Sequence, residues 1–315
     1  MTVYAPPKLY NERTYTFTHL DDGNDILLEC DDPNISDRIF DSYDLITLTI
    51  PQTVDTIVRF PEELNLAGIR INGGRNLRII GAKLNAIKPA DSQLRAVLRI
   101  NDQVKSAFVC GVHIDCRKKD GMDAVLFGCW SGQVETPDCY LQDSLLENME
   151  NTSGNTYHAD GVQFYGSVNN LRLSNVDIRT NTQGAFLAPQ WHRIGCIEMR
   201  SVSIAYTDPA TANGYALFLR DVNESDRPTI MLWNVYVGER EYNPGGRPQE
   251  KLFELYSVFP HAELENGCKY ENGAVSWSHN FPEIIGSVKR WSGERFSPDD
   301  IGVGYNPEYY EGVST

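Results

Sequence analysis

An eight-residue phrase occurs six times in this chain, and few folds can accommodate that. Its clearest copy is Leu171-Arg-Leu-Ser-Asn-Val-Asp-Ile178. Apolar residues stand at the first, third, sixth and eighth places, as two short alternating runs joined by a two-residue step. Alternation with period two marks a strand that buries one face. The other copies begin at Leu77, Ala107, Cys139, Ile197 and Ile230, so the gaps between successive copies are 30, 32, 32, 26 and 33 residues. The copy at Cys139 is the poorest, because Ser144 fills an apolar place. A shorter apolar run precedes each later phrase, starting at Ala96, Ala124, Gly161, Gly184 and Tyr215.

A repeat of roughly 20–50 residues signals a solenoid, a propeller or an array. Helical solenoids need long runs with 3.6-residue spacing, and the repeats contain none. Propeller blades need four antiparallel strands with tight hairpins, and these units lack Asn-Gly or Asp-Gly between paired runs. The expected fold is therefore all-β: a right-handed parallel β-helix, a solenoid whose coils stack at about 4.8 Å with ladders of inward side chains. Asn175 and Asn234 at the step suit a left-handed bend. Residues 1–65 are expected to form an N-terminal cap, 66–283 the parallel β-helix, and 284–315 an irregular C-terminal tail. Within the cap, Asn34 to Ile46 reads as a short helix, with Asn34 or Ser36 as its cap and Ile35, Ile39, Phe40 and Tyr43 as its apolar stripe. Gly238 to Glu250 reads as a surface excursion rich in Gly and Pro.

Composition narrows the partners. Against 28 Lys and Arg stand 43 Asp and Glu, a net charge of −15. Such a chain is a poor match for nucleic acid, where affinity rests on cationic contacts to phosphate. No run of 18 apolar residues and no basic-then-apolar start is present, so neither a membrane span nor a secretory leader is expected. That suits a protein of the cytoplasm or of a phage particle, or a secreted one from which a leader has been removed. The seven cysteines show no metal-ligand spacing and read as small apolar packing residues.

Aligning the shorter runs brings Asp123, Asp160, Gln183 and Asn213 into one polar column, each just before the run. A ladder of turn residues satisfying backbone groups would look the same. Its company is what points to chemistry: His158 two residues before Asp160, Gln163 and Tyr165 alternating outward, and Gln190-Trp191-His192-Arg193 one unit later. Trp stacks on a pyranose face, carboxylates do acid–base work on glycosidic bonds, His or Tyr moves protons, and Arg neutralises a uronate. A second column follows the phrases, comprising Asn85, Asp115, Glu147, Arg179 and Ala205. This is either a solvated salt ladder or a substrate-holding row, with Asp115 and Glu147 as the pair to hold Ca²⁺. Lys118, in the basic run Arg117-Lys118-Lys119, is either a solvated loop residue or part of an anionic-sugar subsite. His113, His261 and His279 read as incidental, and Trp130 and Trp233 as packing residues.

With these residues in view, the repeats and the string His158-Ala-Asp-Gly-Val-Gln163 resemble the pectin-lyase-like superfamily of right-handed β-helices. The string is similar to one in bacterial and phage β-helix proteins linked to polysaccharides. The tail from Val288 to Tyr310 resembles their C-terminal segment. The resemblance implies a polysaccharide partner and a lyase, hydrolase, epimerase or phage depolymerase activity. The calcium-binding Asp set of pectate lyases is not matched cleanly, and the Asn-Thr-Asp and Asp-Asp strings of polygalacturonases are missing.

The leading expectation is β-elimination of a uronate-containing polysaccharide. Arg179, Arg193 or a cation on Asp160 would neutralise the carboxylate. His158 or Tyr165 would take the C5 proton, and Tyr165 or His192 would protonate the leaving oxygen. Gln163, Gln183, Gln190, Trp191, Arg193 and Lys118 would bind substrate. A hydrolase would instead use Asp160 with Asp123 or Glu147. A second reading is a phage or particle-associated fibre, as a homotrimer, that binds glycan without cutting it, and a third is a structural solenoid with no sugar site.

Overall fold

The computed structural model describes residues 4–20, 25–31, 36–129, 137–151, 158–166, 168–188, 195–219, 229–238, 268–271, 274–277 and 284–290. Among them every regular element is a strand. The chain opens with β1 (Arg13–His19), β2 (Asp25–Cys30) and β3 (Arg38–Asp41). Next come β4 (Leu45–Ile50), β5 (Thr56–Arg59), β6 (Glu63–Leu66) and β7 (Gly68–Gly73). A regular alternation follows. The long strands β8 (Asn76–Ala86), β10 (Ser106–Asp115), β12 (Asp138–Met149), β14 (Asn170–Thr180), β16 (Cys196–Tyr206) and β18 (Thr229–Val237) enter one sheet. The short strands β9 (Ala96–Asn101), β11 (Asp123–Cys129), β13 (Asp160–Gly166), β15 (Gln183–Ala188) and β17 (Leu217–Leu219) enter another. The last described strands are β19 (Cys268–Glu271), β20 (Ala274–Trp277) and β21 (Ile284–Arg290).

The first sheet has 14 strands and the second 7. Every pairing in the smaller sheet is parallel. In the larger sheet the antiparallel pairs are confined to its two ends, β1–β2–β3 and β19–β20–β21. Successive units therefore lie one on the next, strand on strand. The observed register carries Leu77 onto Ala107, then Cys139, Leu171, Ile197 and Ile230, the alignment of the six phrases. In the clearest copy Leu171, Leu173, Val176 and Ile178 are all 0% exposed, so the alternation is a record of what faces the core. Ser144 is equally buried and stays satisfied by donating to the Gln142 carbonyl at 2.7 Å.

The step inside each phrase is a bend with one backbone requirement. Its fifth residue has positive φ in every copy: Gly81 63°, Gly111 68°, Asp143 48°, Asn175 57°, Ser201 52° and Asn234 54°. Such angles suit Gly, and Asn or Asp better than other L-residues. Asn175 also donates Nδ2 to Asp143 Oδ1 at 2.6 Å, linking two bends across neighbouring strands.

Parallel stacking extends beyond residues 66–283 at both ends. β5 and β6 pair with the two halves of β8, and β21 pairs with β18. The helix expected over Asn34 to Ile46 is not formed by its described residues. They make β3, a turn and the start of β4. Ile39 pairs with Leu27 across an antiparallel ladder and is 61% exposed rather than part of a buried stripe. A helix this short nucleates poorly, and β-branched Ile39 beside Phe40 gains more from the waiting edge of β2.

Residues 4–10 run across the outer face of the larger sheet. The Tyr10 N–H donates to Asp55 Oδ2 at 2.6 Å, Arg78 Nε to the Pro7 carbonyl at 3.0 Å, and the Tyr4 N–H to Gln142 Oε1 at 2.8 Å. From Pro7 to Tyr4 the segment passes from β8 to β12. Three extended residues at about 3.1 Å each match two strand spacings of about 4.8 Å. The Tyr4 ring packs 5.6 Å from Tyr140, and Arg172 lies 5.5 Å over it. Burial, and after it Glu198, push the Tyr4 hydroxyl pKa up.

Candidate acid–base site

The register puts Val125 beside Val162, and so Asp123 beside Asp160, while Asp160 pairs directly with Gln183. These three stand at the starts of β11, β13 and β15. The next member is Tyr215 and not Asn213, because Ala185 pairs with Leu217. Asn213 lies earlier in the chain, with its N–H on the Asn181 carbonyl at 3.1 Å. Buried Leu217, paired with Ala185, sets this register; the glycine that aligned Gly214 with Gly184 in the sequence does not.

Asp123 is 1% exposed and Asp160 0%. Asp123 Oδ1 accepts the Asp160 backbone N–H at 2.9 Å. Asp160 Oδ2 accepts Gln163 Nε2 at 2.9 Å and lies 2.9 Å from His158 Nδ1. That last approach is an ion-pair contact rather than an aligned hydrogen bond, since no acceptor lies on the Nδ1 bonding line. Of this group His158 reaches solvent, with 35% of its side chain exposed. Its ring stands 5.4 Å from Phe186, which stacks on Phe218 at 4.6 Å, and Tyr215 meets Phe218 edge-on at 5.4 Å.

Burial, reinforced by the Asp160 charge, pushes the Asp123 carboxyl well above the usual carboxylate range. Burial also raises Asp160, against the pull of His158. Contact with Asp160 raises His158 above the ordinary imidazole value of 6.5. Two full charges at strand spacing repel by about 3–4 kcal/mol at an effective dielectric constant near 20. A plain turn ladder would not need to carry that cost.

Gln163, expected to face substrate, is 2% exposed and spends its amide on Asp160. Its place on the outer face is covered, which alternation alone does not reveal. Gln183 is half-buried beside Asp160. Tyr165 lies in β13, but its side chain falls outside the described residues, as do Gln190, Trp191, His192 and Arg193 entirely.

The second column also has the expected register, Asp115 on Glu147 on Arg179. Its side chains form a network. His113 Nε2 lies 2.6 Å from Glu147 Oε1, and Arg179 Nη1 is 4.0 Å from Glu147 Oε2. Arg179 donates Nε to Asp177 Oδ2 at 2.8 Å, with Nη2 at 2.8 Å from the same oxygen. Asp115 accepts the Arg117 N–H at 2.8 Å and Asn148 Nδ2 at 2.9 Å. Asp115 and Glu147 thus face separate nitrogen donors, and the described residues hold no cluster of three His, Cys, Asp or Glu able to take a metal. The Ca²⁺ pair reads instead as two members of a hydrogen-bonded salt ladder. Lys118 Nζ lies 3.0 Å from Glu150 at an exposed turn. Sequence reasoning passed over His113 and Asp177. Both sit at the seventh place of their phrases, outward and one residue past the core, and that shared place was the available signal.

Two residues, Asn181 and Thr182, separate β14 from β15, so the two columns flank the same corner of the chain. No protein-family model, curated protein or solved structure matches the chain. Among the described residues, no helix is long and apolar enough to cross a membrane.

Proposed function

We propose that this chain winds as a right-handed parallel β-helix of the pectin-lyase-like kind and cleaves an acidic, uronate-containing polysaccharide by β-elimination, with His158 as its proton-transfer group. The observation that carries the reading is a partly exposed imidazole 2.9 Å from a fully buried carboxylate, with a second buried acid holding the backbone N–H of that same residue. Buried acid pairs with displaced pKa values concentrate at functional sites.

Neutral His158 takes the C5 proton of a uronate. The C5–H electrons form the C4–C5 double bond, the C4–O bond breaks, and the imidazolium returns its proton to the leaving oxygen. Asp160 stabilises the imidazolium and fixes its orientation. Arg179 turns its Nη1 edge from Glu147, 4.0 Å away, to the substrate carboxylate, whose neutralisation makes the C5 proton acidic enough to leave. Phe218 and Tyr215 continue the row of rings that starts at Phe186, 5.4 Å from His158, and offer a face for a sugar. A hydrolase would need Asp160 itself accessible to substrate, whichever of Asp123 and Glu147 partnered it, and Asp160 is 0% exposed.

The test is a panel of uronate polymers followed by the ultraviolet absorbance of the conjugated alkene–carboxylate. Unsaturated ends are expected, with turnover reduced about 10²–10⁴-fold in His158→Ala. Shortening of chains without that absorbance would indicate hydrolysis, and binding without turnover a glycan-binding fibre; either overturns the proposal.

A further inference from the structure

Three buried oxygens on consecutive strands have no hydrogen-bond partner: Asp123 Oδ2, Asp160 Oδ1 and Gln183 Oε1. Each carboxyl uses only its other oxygen. Asp123 Oδ1 holds the Asp160 N–H, and Asp160 Oδ2 meets Gln163 and His158. The two remaining carboxyl oxygens belong to register neighbours and both can only accept. Two buried acceptors on neighbouring strands, each without a donor, are costly while both carboxyls are ionised. One proton on either carboxyl supplies a donor where there was none and removes one of two buried charges on adjacent strands.

We propose that the Asp123 and Asp160 carboxyls hold a single proton between them, carried on Asp123, and that Asp160 is thereby left as the anion that positions and charges His158. Asp123 is then a positioning residue, acting through Asp160 without touching substrate. Its catalytic meaning rests on the role proposed for His158, but the proton itself does not. The surroundings are mixed. Arg95, just before β9, and Arg99 on β9 act on Asp123, and Arg95 acts on Asp160 and His158 as well. The buried Cys116 thiol, just after β10, also feels the Asp123 charge. From β13 and β15, Gln163 and Gln183 contribute dipoles and no charge.

Asparagine is the isostere of a neutral aspartic acid and donates where the acid would. In Asp123→Asn, the His158 titration followed by imidazole NMR should therefore stay within error of the wild type. In Asp160→Asn it should move clearly to lower pH. Infrared spectra of the wild type at neutral pH should show a protonated-carboxyl C=O stretch, and Asp123→Asn should remove it. A downward shift of His158 in Asp123→Asn would mean that a charge was lost, and would overturn the proposal. So would a His158 titration that changes on adding EDTA or Ca²⁺, because a cation and not a proton would then fill the gap. If Asp123→Asn fails to fold by circular dichroism, the wild-type spectrum still decides, since absence of any protonated-carboxyl band at neutral pH sinks the idea. None of these measurements uses a polysaccharide, so failure of the elimination reading shows up separately.

Discussion

Asn175 offers a direct test of the bend that aligns the phrases. Its φ is 57°, it is 5% exposed, and its Nδ2 donates to Asp143 Oδ1 at 2.6 Å. Replacement by Gly or by Val removes that hydrogen bond alike, at about 1 kcal/mol. Gly accepts the left-handed angle freely and adds only its greater unfolded-state entropy, about 0.5–1 kcal/mol. Val must hold a β-branched side chain where even an ordinary L-residue is strained by about 1–2 kcal/mol. The expected losses are about 1.5–2 kcal/mol for Asn175→Gly and at least about 2–3 kcal/mol for Asn175→Val. On hydrophobicity and strand propensity alone the order would be reversed, since Val favours strands and Gly weakens them. Urea midpoints compared at a common slope give the ranking, with slope equality checking that unfolding keeps the same cooperativity. If Asn175→Val proves as stable as Asn175→Gly, or more so, the left-handed bend is not what the fifth place selects for.

Other outcomes follow from single contacts. In Gly161→Ala the new Cβ would meet Ile178 Cγ2 at 2.5 Å and the Gly184 carbonyl at 2.6 Å, so a loss of about 1–3 kcal/mol is expected in thermal or urea unfolding. Asp55 is fully buried beneath the amino-terminal segment; burial would raise its carboxyl, but Arg75, the Tyr10 N–H and Asn76 outweigh that and hold it below 3.8. A depressed folded-state pKa adds stability above the ordinary carboxylate value and loses it as pH falls through the folded value, so Asp55→Asn should flatten the acid limb of a stability–pH curve. If His158 is the base, kcat/KM should rise with pH along a limb lying above 6.5, because Asp160 raises the imidazole, and that limb should move to lower pH in Asp160→Asn.

What could be read from the chain alone was what recurs in each unit. An inward side chain must be apolar, or like Ser144 find its own hydrogen bond, in every copy, and a bend residue must tolerate positive φ in every copy. Leu171, Asn175 and Ile178 therefore announce their roles, and the register of all six phrases follows. Outward places obey no such repeated demand. Gln163 alternates like a solvent-facing residue yet is buried, with its amide on Asp160 Oδ2. Only the folded chain shows His113 against Glu147, 34 residues apart, and Tyr4 against Gln142, 138 residues apart. The same holds for the displacement of Asn213 by Tyr215, since loops of unequal length change the count between strands while core burial holds the register. Local periodicity determined which residues face inward; stacking across units decided which outward side chains meet, because those contacts depend on neighbours that no stretch of sequence contains.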